Sequence, residues 1–263
     1  MTALLTAACL GVPRPPAGLE ELVDLPDSHP RGRAAARRFL HEGDAAWDRR
    51  DDPGMPEAAR QAYWHAIAAD PQQPDGYWKA ARASVLVGQL LEGKEARGDA
   101  FLRGLRTTQL LLARDDEVAQ AHYYYALNLG LLAKERPTRG HEAVKEMLPH
   151  LERAIELAPQ LDRAGGYRTL ALVYLRAPGW PASVGDDEAG LEYATLAVGN
   201  APGYPGNHLA LAEALIATGD RPKAHTEVEQ ARELAAQPRW THRERNDFLE
   251  QATSLAEKTL TKP

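Results

Sequence analysis

The amino-acid sequence predicts an all-α fold, a right-handed helical solenoid of about five helical hairpins closed by a C-terminal capping helix. Three observations support this prediction. One stripe of small side chains recurs in four segments, a second stripe precedes two of them, and the chain is rich in the helix formers Ala, Leu, Glu and Arg. Recurrence of one helical unit is typical of solenoids, because a hairpin with an exposed apolar face is stabilised only by stacking on its neighbours.

The first stripe indicates the second helix of a hairpin. A small residue is followed four positions later by a filling side chain, seven positions later by another small residue, and twelve positions later by a turn residue. Steps of four and three place side chains on one helical face, and proline ends the helix. The four copies are Ala59, Tyr63, Ala66 and Pro71; Met147, Leu151, Ala154 and Pro159; Gly190, Ala194, Ala197 and Pro202; and Ala224, Val228 and Ala231 without the proline.

The second stripe indicates the first helix of each of the last two hairpins. Its members are Tyr167, Leu170, Ala171 and Tyr174 in one copy and His208, Leu211, Ala212 and Leu215 in the other. From Ala212 to Ala224 is twelve residues. From Ala171 to Gly190 is nineteen, so the fourth hairpin has seven extra residues in its internal loop, and without them the period is 34 residues.

Weaker forms of the two stripes complete the count of hairpins. The 88 residues from Ala66 to Ala154 are too many for one hairpin, so an additional hairpin is inferred between them. A polar face on the last helix would cap the stack. The remaining segments are, in chain order, 39–47 for the first helix of the first hairpin, 76–91 and 100–113 for the second hairpin, 121–133 for the third, and 243–260 for the capping helix.

Together the stripes resemble the tetratricopeptide repeat, whose pattern has an aromatic residue, Leu, Gly and Tyr on helix A and Ala, an aromatic residue, Ala and Pro on helix B. The resemblance spans residues 34 to about 235, and the unit at 208–235 lacks only the aromatic residues and the final proline. It implies a protein-binding module and not an enzyme, although this repeat serves many unrelated partnerships.

The inner wall of a curved stack is lined mainly by the first helix of each hairpin, so we expect the partner or ligand groove there. Tyrosine and tryptophan suit such surfaces because they bury area while keeping a polar tip. The candidate groove residues are Tyr77, Trp78, His122, Tyr123, Tyr124, Asn128, Tyr167, Arg168, Asn207 and His208, with Trp180 in the long loop 176–187. Two alternatives stay open: the tyrosines at 123–125 belong to the core between hairpins, and Trp180 folds back onto neighbouring helices.

The N-terminal residues divide into two segments before the repeat domain, which is expected over residues 34–263. Residues 1–9 resemble the end of a bacterial lipoprotein signal and place the single cysteine, Cys9, where a lipid would be attached. Residues 10–33 are rich in proline and are expected to form an extended tether. This interpretation implies a periplasmic, lipid-anchored protein; the alternative is a cytoplasmic protein whose N-terminal tail carries a chance cysteine.

The long loop and the segment 205–215 resemble the periplasmic T-component family of tripartite ATP-independent periplasmic (TRAP) transporters and related bacterial lipoproteins. The resemblance implies an envelope lipoprotein that associates with a periplasmic solute-binding protein. The alternative functions are a scaffold for envelope assembly, such as a pilus or secretion accessory, and a cytoplasmic adaptor.

Composition and spacing disfavour other function classes. With 37 acidic and 31 basic residues the net charge is −6, whereas nucleic-acid binding needs a clustered basic face. The nine histidines show no metal-ligand spacing and no nucleophile motif occurs, so we expect neither catalysis, nor a metal, nor a cofactor. The aspartate pairs 51–52, 115–116 and 186–187 are expected to cap helix N-termini. A membrane contact is expected only through Cys9, and homo-oligomerisation is left open.

Overall fold

The computed structural model describes residues 17–26, 28–136, 140–179 and 183–260. In these ranges the chain forms a short 3-10 helix, Leu19–Glu21, and eleven α-helices. The helices are α1 (Arg33–Asp48), α2 (Met55–Ala69), α3 (Pro74–Leu90), α4 (Lys94–Leu112), α5 (Ala119–Glu135), α6 (Gly140–Leu157), α7 (Gly165–Arg176), α8 (Asp187–Asn200), α9 (Pro205–Ala217), α10 (Arg221–Ala235) and α11 (His242–Leu260). Cys9 and Trp180, two predicted functional residues, lie outside the described residues.

The helices pair in chain order into five hairpins, from α1–α2 to α9–α10, and α11 closes the stack. Each first helix also contacts the first helix of the next hairpin, so α1, α3, α5, α7, α9 and α11 follow one another along one side. The prediction of an all-α stack with five hairpins and a capping helix is confirmed. The described residues form no strand, only an isolated bridge between Gly179 and Gly185. Within the same ranges, none of the helices is both long and apolar enough to span a bilayer.

Glycines allow the two helices of a hairpin to approach closely. A methyl group at Gly43 of α1 would overlap the ring of Tyr63 on α2. One at Gly88 of α3 would overlap the ring of Phe101 on α4. Glycine at these two positions therefore leaves space that a bulky side chain of the neighbouring helix fills.

The described part of the predicted tether packs onto the first two hairpins. Leu19, Leu22 and Val23 are at most 5% exposed and share a core with apolar side chains of α2 and α4. The Leu22 carbonyl also accepts a hydrogen bond of 3.1 Å from Arg103 Nη1. The tether prediction is wrong for these residues, because prolines prevent a continuous helix but do not prevent the leucines between them from being buried.

The turn between α6 and α7 has a left-handed backbone at three consecutive residues other than glycine. Asp162, Arg163 and Ala164 have φ angles of 49°, 57° and 62°. This conformation costs an L-residue roughly 1–2 kcal/mol, so the contacts around the turn have to hold it in place.

The two ends of the stack meet. Arg50, in the loop after α1, places its Nη2 3.1 Å from Oε1 of Glu244 near the start of α11. The Arg243 amide donates a hydrogen bond of 3.2 Å to Asp51 Oδ2. Asp51 therefore accepts a hydrogen bond from an amide in the first turn of a helix, as expected for a capping aspartate. The helix is α11 and not the adjacent α2. Asp186 caps α8 directly, accepting bonds from two backbone amides.

Candidate functional site

The first helices and the closing helix surround a cavity of about 230 Å³, which we call the central groove. The first three hairpins contribute α1, α3 and α5, and the α6–α7 turn and the start of α11 complete the wall. Its charged and aromatic lining residues are Trp47, Arg50, Asp51, Arg82, Tyr124, Asp162, Arg243, Glu244 and Asp247. The lining comes partly from the first helices α1, α3 and α5 and partly from the loop after α1, the α6–α7 turn and the start of α11.

Arg82 lies between two tryptophans in the central groove. Its guanidinium carbon is 4.0 Å from the ring centroid of Trp47 and 5.3 Å from that of Trp78. Trp78 in turn stacks on Tyr124, with ring centroids 6.2 Å apart and an angle of 8° between the planes. In the part of the chain that the structure describes, Arg82 forms no salt bridge and its Nε has no hydrogen-bond partner. Arg82 therefore presents a cation without a paired carboxylate.

The neighbouring cation, Lys79, is already paired. Its Nζ lies 2.8 Å from both carboxylate oxygens of Asp44. Asp44 Oδ1 also accepts a hydrogen bond of 2.8 Å from the Tyr63 hydroxyl. Burial, followed by this bond to Asp44, raises the pKa of Tyr63 well above its usual value of 10.0, so Tyr63 stays neutral. Of the two cations on this part of α3, Arg82 is the one left to meet an anion.

Tyr124 lies among the charges of the groove. It is 6% exposed, and burial, followed by the nearby charge of Asp162, raises its pKa far above 10.0. The arginines Arg82, Arg163 and Arg168 act on the same hydroxyl with the opposite sign. Arginines therefore outnumber acidic groups around the Tyr124 hydroxyl, whereas the cavity lining as a whole holds the acidic residues Asp51, Asp162, Glu244 and Asp247 beside Arg50, Arg82 and Arg243.

A hydrogen-bond network holds the left-handed turn against the groove. Asp162 Oδ2 accepts bonds from the Tyr123 hydroxyl at 2.7 Å and from Arg168 Nη2 at 3.3 Å. The Asn207 side chain donates to the Arg163 carbonyl at 3.0 Å and accepts from Arg168 Nη1 at 2.9 Å. Side chains of α5, α7 and α9 therefore fix the turn from three directions.

The turn also directs Arg163 to a second aromatic pair. Its guanidinium carbon is 5.2 Å from the ring centroid of Tyr204 and 5.1 Å from that of Trp240. Within the described ranges no salt bridge involves Arg163, and the residue is exposed. The arrangement repeats that of Arg82, a guanidinium held by aromatic faces and not by a carboxylate.

Four of the predicted groove residues instead occupy the fourth position of their helices and bond back to the preceding turn. The bonded carbonyl belongs in each case to the residue six positions earlier. The pairs are Tyr77 with Pro71 at 3.1 Å, His122 with Asp116 at 2.9 Å, Arg168 with Asp162 at 3.5 Å, and His208 with Pro202 at 2.7 Å. Tyr77, His122 and His208 are at most 8% exposed, so we correct the prediction that they face the groove.

Three more predicted residues belong to the core. Tyr123, Asn128 and Asn207 are at most 1% exposed. Asn128 Nδ2 donates to the Tyr124 carbonyl at 2.8 Å and to a carbonyl of α3 at 3.1 Å, which joins neighbouring hairpins. The core alternative is therefore correct for Tyr123, and Tyr124 and Tyr125, which are 6% and 5% exposed, belong to the same core. Tyr167 is half-buried on α7 and does not line the cavity.

Of the predicted residues that the structure describes, Tyr124 lines the groove, Trp78 contacts Tyr124 and Arg82 from behind the lining, and Arg168 lies behind the turn. Sequence analysis missed Arg82, the turn residues Asp162 and Arg163, and Arg243. Arg82 follows Trp78 by four positions, and this shared helical face was the available signal. The turn has no glycine at its left-handed positions, and Arg243 reaches the groove only because the ends of the stack meet.

A second cavity, of about 580 Å³, lies between α5, α6 and α7 and is lined mostly by aliphatic side chains. Its lining includes Gly140, Pro178 and Ser183, which are close in sequence to residues that the structure does not describe, so the central groove is the better-defined candidate. No group of three His, Cys, Asp or Glu side chains suited to a metal ion occurs among the residues described.

Comparison with known proteins begins with the fold. The structure superposes on a crystal structure of TTC0263, a thermophilic TPR protein of Thermus thermophilus, with a TM-score of 0.63 and 19% identity, covering 86% of this chain and 100% of that one. The chain has the tetratricopeptide-repeat fold. Two structures of MamA are 18% identical with TM-scores of 0.49 and 0.48; they cover 79% and 73% of this chain and 97% and 93% of their own chains.

At the level of sequence, one family model matches part of the chain. The model for Regulator of microtubule dynamics protein 1-3 matches residues 39–164, slightly less than half of the chain. This range contains Trp47, Trp78, Arg82, Tyr124 and Asp162, and it ends at the last residue of the left-handed turn. A search of curated proteins finds no match.

Proposed function

We propose that this protein is a non-enzymatic protein-interaction module whose central groove binds an acidic segment of a partner protein. The observation that carries the proposal is Arg82, a guanidinium held between Trp47 and Trp78 without a paired carboxylate in the described part of the chain. Arginine and tryptophan are enriched at the energetic hot spots of protein interfaces.

The distribution of charge supports an acidic partner segment. The whole chain has a net charge of −6, whereas the arginines Arg82, Arg163 and Arg168 lie near the Tyr124 hydroxyl. An acidic segment is attracted to Arg82 beside Tyr124 and repelled by the carboxylates of Asp51, Glu244 and Asp247 elsewhere in the lining. Such complementarity orients a partner during encounter and disfavours basic competitors.

The geometry of the groove supports binding at low ordering cost. Trp47 and Trp78 hold the planar Arg82 guanidinium between them. A guanidinium can donate two parallel hydrogen bonds to one carboxylate. The network around Asp162 fixes the opposite wall. Preformed contacts reduce the entropy that association would otherwise lose. The match of residues 39–164 to one family model adds support, because most of the groove lies inside that range.

Fluorescence anisotropy with a labelled oligoglutamate peptide tests this proposal. We expect Arg82→Ala to weaken binding at least about tenfold, equivalent to ~1.4 kcal/mol. Arg82→Lys keeps the charge but not the planar fork, so intermediate affinity is expected. Trp47→Leu removes one face of the stack and should also weaken binding.

Two controls separate a site from general charge attraction. Arg106→Ala removes the same charge from α4, where Arg106 pairs with Glu21 at 2.8 Å, and should leave affinity unchanged. An oligoglutamine peptide of equal length should not bind. Equal affinity of Arg82→Ala and wild type, or equal losses in Arg82→Ala and Arg106→Ala, would argue against the groove.

The finer proposal concerns location and partner. We propose that Cys9 carries a lipid, that the protein is periplasmic, and that the partner is the solute-binding protein of a TRAP-type transporter. Its support is the pattern of residues 1–9 and the resemblance of the long loop and 205–215 to the T-component family. Metabolic labelling with a fatty acid should mark the wild type and not Cys9→Ala, and a pull-down from native envelopes should recover a solute-binding protein. Recovery of envelope-assembly proteins would instead favour the scaffold alternative. If the protein is cytoplasmic and carries no fatty-acid label, the adaptor alternative is favoured.

A further inference from the structure

The contact between the two ends of the stack is polar. Arg50 Nη2 lies 3.1 Å from Glu244 Oε1, and the Arg243 amide donates to Asp51 Oδ2 at 3.2 Å. The side chains of Arg50 and Glu244 are 22% and 31% exposed. In contrast, α11 packs against α9 and α10 through apolar side chains such as Phe248 and Ala252. Partly exposed ion pairs are far weaker than such apolar packing, so this junction is the easiest place for the ring to open.

The same contacts form one wall of the central groove. Arg50, Asp51, Arg243 and Glu244 line the cavity together with Trp47. Arg50 Nη1 donates to the Trp47 carbonyl at 3.4 Å, and its guanidinium carbon is 5.6 Å from the Trp47 ring. The junction and the Arg82 stack therefore share Trp47, and a change at one is felt at the other.

The cavity is too small to hold the whole segment that it is proposed to bind. Its volume is about 230 Å³, whereas pockets for drug-sized ligands are roughly 300–1,000 Å³. A peptide segment with several acidic side chains is larger than such ligands. Part of the segment can lie at the mouth of the cavity, and fuller entry requires a wall to move. The polar junction is the part of the wall that apolar packing does not hold.

We propose that the Arg50–Glu244 and Asp51–Arg243 contacts are a latch that keeps the central groove closed until an acidic partner segment displaces Glu244 from Arg50. The inference rests on the proposed function of the groove and specifies its regulation. Glu244 acts as an internal competitor, because its carboxylate occupies a guanidinium that an acidic segment would bind. Removing the Glu244 charge should therefore separate the two ends of the stack and also strengthen binding of the acidic segment.

The structure offers a variant that removes this charge without unfolding α11. Glu244 Oε2 accepts the Thr241 amide at 2.9 Å, and the Thr241 hydroxyl accepts the Glu244 amide at 3.2 Å. This reciprocal cap tolerates glutamine in place of glutamate. Glu244→Gln thus keeps the start of α11 intact while weakening the pair with Arg50. Glu233→Gln, an exposed position of α10, is the control with the same change in charge.

Pulsed electron paramagnetic resonance measures the opening without any partner. Spin labels at Asp48→Cys and Asn246→Cys, both exposed, report the distance across the junction in a Cys9→Ser background. In wild type at low salt we expect one short, narrow distribution of label-to-label distances. An additional population at longer distance should appear in Glu244→Gln and in Arg50→Glu. It should also appear in wild type at high salt, because salt screens the ion pair. The charge-swapped Arg50→Glu with Glu244→Arg should restore the short distance. Labels at Gln230→Cys and Asn246→Cys should report no change, because α10 and α11 stay packed.

Oligoglutamate binding supplies the second measurement. Glu244→Gln should bind several-fold more tightly than wild type and with a faster association rate, whereas Glu233→Gln should match wild type. Identical distance distributions in every variant would overturn the latch even if binding still depends on Arg82. Opening in Glu244→Gln with no peptide binding in any variant would leave the latch standing and overturn the proposed function instead.

Discussion

The Tyr123 hydroxyl donates a 2.7 Å hydrogen bond to Asp162 Oδ2, and this bond joins the core of the third hairpin to the left-handed α6–α7 turn. Tyr123 is 1% exposed, so the bond anchors the turn from inside the protein. Three non-glycine residues in this conformation persist only where surrounding contacts determine them. The strained turn lies beside the groove. Its left-handed backbone places the Arg163 guanidinium against Tyr204 and Trp240.

Substitution of Arg163 tests the strain directly. Arg163 has a φ of 57°, which glycine adopts more easily than alanine, and both substitutions lose the same side-chain contacts with Tyr204 and Trp240. We expect Arg163→Gly to be more stable than Arg163→Ala by about 1 kcal/mol, the reverse of the usual order in helices. Urea unfolding followed by circular dichroism measures the difference. A less stable glycine variant would show that the turn is not strained.

Two glycine substitutions test the close packing of the hairpins. A methyl group at Gly104 of α4 would overlap the Asn128 amide, which is fully buried between hairpins. We expect Gly104→Ala to lower the free energy of unfolding by about 1–3 kcal/mol. Gly199 of α8 has open space around the same methyl position, so Gly199→Ala should raise it by about 0.5–1 kcal/mol. Thermal and urea unfolding of both variants measures these opposite changes in the free energy of unfolding. Equal changes in the two variants would contradict the close contact between Gly104 and Asn128.

Leu22 tests whether the N-terminal segment is part of the folded unit. The side chain is 2% exposed among residues of α2 and α4. Truncation of a buried leucine costs about 2–5 kcal/mol, so Leu22→Ala should lower the free energy of unfolding by an amount in that range. The exposed neighbour Asp24→Ala should have almost no effect. A free tether would leave both variants as stable as wild type.

The His122–His150 pair predicts loss of stability in mild acid. The two Nδ1 atoms are 2.8 Å apart, so one proton lies between them and a second one breaks the bond. Burial, followed by the charge of His122, lowers the pKa of His150 below its usual 6.5, and this outweighs the opposing effect of Glu146. A lowered pKa means that the folded state prefers the neutral ring. Its contribution is complete above pH 6.5 and is lost as the pH falls below that value.

Urea midpoints at successive pH values between neutral and mildly acidic measure this effect. We expect His150→Gln to flatten the decline, while the similarly lowered pKa values of His29 and His65 retain part of it. His208 provides the opposite sign. Burial lowers its pKa, but the bond to Glu227 at 2.6 Å, the bond to the Pro202 carbonyl and the Glu227 charge together raise the pKa by more, so its contribution is lost as the pH rises. A His208→Gln variant should therefore decline more steeply in acid than wild type, and parallel curves for both variants would contradict the assignment.

The sequence predicted helices better than it predicted which way their side chains turn. The stripes placed Tyr77, His122 and His208 correctly on first helices, yet each bonds to the turn six residues earlier. Position on a helix follows from spacing, whereas the choice between groove and turn depends on the nearest free carbonyl. Trp78, the residue after Tyr77, points to a different face, where it stacks on Tyr124 and contacts Arg82 of the groove. The sequence also did not predict that Leu19 and Leu22 are buried, because a high proline content does not determine whether the residues between the prolines are buried.

By itself the sequence determined the all-helical fold, the five hairpins and their order, since spacings of three and four and the following prolines act within one helix and its turn. Only the tertiary structure decided the groove. Small rotations between successive hairpins add up until Arg50 meets Glu244, 194 residues away in the chain, and no local pattern encodes that meeting. The left-handed turn is likewise set by side chains from three other helices. The site is therefore a property of the accumulated curvature and not of any single repeat.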